Sequence, residues 1–190
     1  MAETLIQTLA YADWHVPLSQ RSMSLREAAR DLARVGAAPQ DIPLMVQLAE
    51  NPRFNLFHGA VDLKTHDYIH AILGRGLLAK DEAFVIGFTM GSTNRLSATE
   101  EKLFTLVAER LYPGIFRFSR EDVRVFRDAV RLAFICETPA LNQIGYDKYM
   151  DAPLGDIRRD LHIDEPLLHA YYALEKRRYP ASPESQRLLD

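Results

Sequence analysis

The chain has 190 residues, 47% hydrophobic and 26% charged, the make-up of an ordinary globular protein with enough apolar side chains to bury a core. Its formal net charge of -3 lacks the basic surplus of a protein that wraps nucleic acid, so no nucleic-acid partner is expected. The single cysteine, Cys136, excludes an internal disulfide framework and a cysteine-rich zinc site, and its apolar run "LAFICETP" reads it as a small core residue.

The opening stretch "MAETLIQTLAYADWH" has an early glutamate and no basic flank, so it reads as neither a secretory signal nor a transit sequence. The longest apolar runs, such as "AFVIGFTMG", are about half as long as a bilayer crossing requires. A cytoplasmic location is the expectation. Trp14, the only tryptophan, is expected to pack the first helix.

Helix signals then follow one another along the chain. Ser24-Leu-Arg-Glu27 has the spacing of a capping box, and Gly36 is placed to close that helix in a left-handed turn. Asp41 is placed to cap a second helix, which Asn51-Pro52 ends. A third runs from Leu63 to Leu73 and is stopped by Gly74 and Gly76. Asp81 reads as the cap of a fourth, through "EAFVIGFTMG". Ser97-Ala-Thr-Glu100 is a second capping box, opening a helix with Leu103, Leu106, Val107 and Leu111 on one face and Pro113-Gly114 at its end. Ser119-Arg-Glu-Asp122 opens the next, whose apolar set Val123, Phe126, Val130, Leu132 and Ala133 runs towards Thr138-Pro139. A short helix near Pro153 carries Leu154, Ile157 and Leu161, and Asp164-Glu165-Pro166 starts the last one, where proline suits the first turn. The remainder, "ASPESQRLLD", reads as a polar, frayed tail.

Period-two alternation is nearly absent, so the fold class is all-α, a single domain of about seven to nine helices. Within it, residues 1–40 form N-terminal helices of an unmatched type, 41–180 the helical body, and 181–190 the tail.

The chemistry concentrates in "HDYIH", residues 66–70, followed after eleven residues by Glu82. On a helix, His66 and His70 lie on one face a turn apart, and Asp67 flanks the same stripe. Glu82 arrives from the next helix after a short glycine-bearing turn, so an antiparallel pairing brings it to the same point. On a solvent-facing helix the pattern would mean nothing. Here Leu63, Ile69, Ile72 and Leu73 place the helix in the interior, where two histidines and an aspartate are costly unless paired or bound.

The set His66, Asp67, His70 and Glu82 therefore reads as a divalent-metal site. Imidazole and carboxylate suit zinc, iron, manganese or cobalt alike, and no thiolate narrows the choice. Asp67 is read as a ligand, or alternatively as the group that fixes a histidine tautomer. An HExxH hydrolase would need glutamate where Asp67 stands. A di-iron carboxylate bundle would need a second acid-x-x-His copy, which is missing. An HD-type metal-dependent hydrolase stays as an alternative, although His58 is only eight residues upstream. His15, His162 and His169, like His58, have no acid at metal spacing.

His66-Asp67-x-x-His70 with Glu82 eleven residues on resembles the signature of the coenzyme Q (ubiquinone) biosynthesis family Coq four. Residues 146–163, "YDKYMDAPLGDIRRDLHI", resemble that family's C-terminal block, with Tyr146, Asp147, Asp151, Leu154, Arg158, Leu161 and Ile163 in register. The stretch "LAENPRF" resembles its approach to the metal motif. The chain departs from the pattern at Met150, where the family carries tryptophan, and at Asp81 and His162, where it carries glycine.

The resemblance implies an all-helical protein holding a divalent metal on His66, Asp67, His70 and Glu82. It implies peripheral association at the inner face of a membrane and work on a polyprenylated hydroxybenzoate or other isoprenoid lipid beside other quinone-biosynthesis proteins. The implied reaction is loss of the carboxylate at ring carbon one, coupled in some members to hydroxylation there. A non-catalytic lipid-binding scaffold for those proteins is the second implication. A prenyl tail needs an apolar groove, for which Phe84, Phe88, Phe104 and Phe116 are the candidates, with ordinary core packing as the alternative. Arg158 and Arg159 are expected to pair with Asp151 or Asp160, and assembly into a homo-oligomer is left open.

Overall fold

A computed structural model describes residues 12–35, 61–110 and 117–189. Among these residues the chain forms eight α-helices: α1 (Leu25–Val35), α2 (Leu63–Leu73), α3 (Ala79–Ser92), α4 (Ala98–Arg110), α5 (Arg120–Ile135), α6 (Leu154–Asp160), α7 (Glu165–Arg178) and α8 (Pro183–Gln186). The described residues form no strand. Their one β-type contact is an isolated bridge between Ser24 and Pro153. The fold is the all-α single domain expected. Gly36, the helix from Asp41 to Asn51-Pro52, the stop at Pro113-Gly114 and Phe116 lie outside the described residues.

The capping boxes form as read. Ser24 and Glu27, Ser97 and Glu100, and Ser119 and Asp122 each exchange side-chain and backbone hydrogen bonds across the first turn of α1, α4 and α5. α2 has the expected bounds, with Asp62 accepting from the Thr65 N–H at its start and Gly74 closing it at φ 69, a left-handed geometry that glycine adopts without steric cost.

α3 is buried along almost its whole length, as a helix that is apolar on all sides must be. It packs hardest against α5, and two glycines one turn apart explain the closeness. A Cβ on Gly87 would strike the Phe126 carbonyl, and one on Gly91 would stand 2.5 Å from the Val130 carbonyl oxygen. The two backbones touch with no side chain between them. Phe104 and Ala108 of α4 close over Ile86, Met90 and Phe126.

The turn between α2 and α3 is held by side chains from distant parts of the chain. The last carbonyls of a helix have no partner within it. Here Ile72 O accepts from Arg158 Nε at 2.7 Å, Leu73 O from the Tyr172 hydroxyl at 2.5 Å, and Gly74 O contacts His15 Nε2 at 3.2 Å. Arg75, fully buried, lies with its guanidinium carbon 3.9 Å from the Phe84 ring centre and 4.3 Å from that of Tyr172. It makes a two-pronged ion pair with Glu175, at 3.0 and 2.6 Å.

Several expectations are corrected. Asp81 is not the cap of α3 but lies in its first turn: Leu78 takes the cap position, and Asp81 accepts from its N–H. Leu106 and Leu63 are exposed, and the buried face of α4 carries Phe104, Thr105 and Ala108 instead. Cys136 is half-buried at the end of α5, where neighbouring Phe134 and Ile135 already face solvent.

Arg158 caps backbone carbonyls, Arg159 pairs with Asp156, and Asp151 pairs with Arg26. Of the segment 181–190, the described residues 181–189 are not frayed. Ser182 caps α8, Ser185 donates to Glu175, and Leu188 is fully buried in the core. The alternation of small polar and apolar residues concealed an anchor, because the polar atoms satisfy one another while Leu188 goes inside.

Gly91→Ala is expected to destabilise the protein by about 1–3 kcal/mol, overpacking against α5 outweighing the gain in helix propensity, as a urea titration would measure. Glu175→Ala, which strands a buried guanidinium, is expected to cost about 3–5 kcal/mol in the same assay.

Candidate metal centre

His66 and His70 project from one face of α2, their rings 4.5 Å apart and nearly perpendicular at 84°. Glu82, in the first turn of α3, reaches between them. Its Oε2 lies 3.3 Å from His66 Nε2 and its Oε1 3.3 Å from His70 Nε2. All three offer ligand atoms within 4.8 Å of one another, and all are withdrawn from solvent: His70 completely, His66 to 6% exposure, and the Glu82 side chain to 12%.

The hydrogen bonding of His70 sets its chemistry. Nδ1 meets the Gly76 carbonyl at 2.6 Å, so it carries a proton and donates, and Nε2 turns toward Glu82. A carbonyl oxygen behind the ring is the arrangement by which proteins orient metal-binding histidines. Both Nε2 atoms are buried with no aligned hydrogen bond to any protein group. A buried polar atom left so is costly unless something else meets it.

Each imidazole faces a different oxygen of the one carboxylate, Oε2 for His66 and Oε1 for His70, and the candidate ligand atoms of all three residues close to within 4.8 Å. The three residues can hold a divalent cation and would leave it a further coordination position.

The charges of the protein alone fit the same reading. Burial pushes His66 down to about 4, against the pull of Glu82, so its imidazole is neutral near pH 7. Burial also opposes charge on His70, but Glu82 outweighs it and holds the pKa above the ordinary value. Glu82 stays below the usual carboxylate range because His70 and His66 outweigh its own burial. The carboxylate of Glu82 thus favours positive charge beside it, at the point where a cation would sit.

Asp67 is corrected. It is not among the three converging groups. Successive helical residues are turned by about 100°, so Asp67 sits around the barrel from His66 while Glu82 enters between the two histidines. It is half-buried, and burial pushes its carboxyl up to about 6, with His70 opposing. His58 lies outside the described residues.

Phe84, Phe88 and Phe104 are core side chains: Phe84 stacks near Phe88 and the tyrosines of α7, and Phe104 on Phe126. The sequence reading missed the Gly76 carbonyl and Arg75. Gly76 had registered only as a helix stop, and nothing local marks Arg75 as buried.

The fold and site define a helical protein with a buried two-histidine, one-glutamate centre. No family model, curated protein or solved structure matches the chain. Among the described residues no helix is long and apolar enough to cross a membrane.

His70→Ala or Glu82→Ala is expected to weaken zinc or cobalt binding by more than about 100-fold, since even outer partners of metal ligands are worth about 10–100-fold. Asp67→Asn is expected to keep the metal. Titration calorimetry on the folded variants reads both outcomes.

Proposed function

We propose that this protein is a divalent-metal-dependent enzyme of quinone biosynthesis that removes the ring-carbon-one carboxylate from a polyprenylated hydroxybenzoate. The observation that carries it is the convergence of His66, His70 and Glu82, with both buried Nε2 atoms aimed at one carboxylate and neither in an aligned hydrogen bond. A cation bound there supplies positive charge to hold a substrate carboxylate or phenolate and to stabilise negative charge spreading into the ring.

The chain's own groups have separate tasks. Gly76 orients His70, and the low exposure of the site excludes water. When the carbon–carboxylate bond breaks, carbon dioxide leaves and the ring carbon needs a proton. Asp67, half-buried and next to His66 along α2, with burial raising its carboxyl to about 6, is the proposed donor, reaching the substrate from outside the converging group.

The substrate class rests on the resemblance to the Coq four family, and two features of the fold support it. The C-terminal block packs directly on the metal helix through Arg158, which gives the two motifs a physical reason to occur together. His162, where the family carries glycine, stands at φ 53, a left-handed conformation that favours glycine.

A second reading, a lipid-binding scaffold with a structural ion, draws on the depth of the site. Turnover separates the two. The full chain loaded in turn with zinc, manganese, iron or cobalt is given a prenylated hydroxybenzoate, and released carbon dioxide is measured. Metal-dependent release that falls by about 100-fold or more in Glu82→Ala supports the enzyme. Bound metal with no release gives the scaffold, and a wild-type protein that binds no metal overturns both.

A further inference from the structure

Arg187, in the segment read from sequence as a polar, frayed tail, makes three contacts, of which one is to the α2–α3 connection and one to the first turn of α3. Its Nη2 donates to Asp81 Oδ2 at 2.6 Å, and its Nη1 donates to the Ala12 carbonyl. Its guanidinium also lies so close over Gly76 that a Cβ there would collide with it. Two of the touched residues adjoin the centre. The Gly76 carbonyl orients His70, and Asp81 immediately precedes Glu82 in the first turn of α3.

Asp81 is fully buried, with the guanidinium of Arg187 at 2.6 Å and that of Arg75 at 3.8 Å. Its Oδ1 has no hydrogen bond and lies 3.8 Å from Arg75. Arg187 therefore supplies the short ion pair on which this carboxylate depends. The segment that carries Arg187 is itself anchored, by buried Leu188 and by Ser185 on Glu175.

We infer that Arg187 is a positioning residue of the metal centre: bridging Asp81, Gly76 and Ala12, it fixes the separation between the imidazole of His70 and the carboxylate of Glu82. The inference rests on the metal reading above and assigns to residues 183–188 a part in the site. The pairing also gives a physical use to Asp81, one of the chain's departures from the family pattern.

The test uses cobalt and the full chain. Cobalt affinity and the visible absorption bands of the bound ion are measured for wild type, Arg187→Ala and Arg187→Lys, with Leu132→Ala as a core truncation outside the turn. Arg187→Ala is expected to lose about ten- to a hundredfold in affinity and to shift the bands, the scale of an outer partner of a metal ligand. Arg187→Lys, which can meet Asp81 but not all three groups at once, is expected to fall between. Leu132→Ala is expected to lower the melting temperature and leave the bands in place. Should Arg187→Ala fail to fold, the lysine variant is read alone. Wild-type affinity and unchanged bands in a folded Arg187 variant overturn the inference while leaving the metal site standing. A wild-type protein that takes up no cobalt overturns the metal reading instead, and the inference with it.

Discussion

A guanidinium with no access to water governs this structure. Arg75 is completely enclosed, and an isolated charge at that depth would cost far more than a small domain can bear. Three groups make it tolerable: the carboxylate of Glu175 and the flat faces of Phe84 and Tyr172. Each is on α3 or α7, so the charge can be accommodated only if both helices stand where they do. Arg75 lies in the short connection between the two ligand-bearing helices. The same requirement therefore sets the course of the backbone from His70 to Glu82.

The site follows from that course. His66 and His70 owe their common face to helical periodicity, and Glu82 owes its entry to a turn whose carbonyls are capped by Arg158, Tyr172 and His70 itself. None of these capping groups is near the turn in sequence except His70. The second motif block, through Arg158, is part of the scaffolding of the first. That gives the pairing of the two blocks a structural basis that does not depend on any likeness to another protein.

What could be read in advance was what depends on neighbours in sequence. Capping boxes at Ser24, Ser97 and Ser119, the bounds of α2 and the shared face of its histidines are all decided within a turn or two. The misreadings are long-range. The angle at which Glu82 arrives decides which groups of α2 close to within 4.8 Å of it, and those are His66 and His70. Leu106 and Cys136 lie in apolar runs whose burial depends on what another helix covers. Ser185, Arg187 and Leu188 look like a solvated end until Glu175, Asp81 and the core are placed beside them.

The distance along the chain between the turn and its locks has a consequence for biogenesis. Arg75 waits for Glu175, 100 positions later, and Asp81 for Arg187, 106 positions later. Contacts of such high sequence separation form late, because loop closure must precede any reward from them. During translation His66, His70 and Glu82 emerge well before the groups that hold them at ion-binding distance. The nascent chain therefore carries the three side chains before the groups that fix their geometry, and the cluster is completed only after residue 187 has left the ribosome.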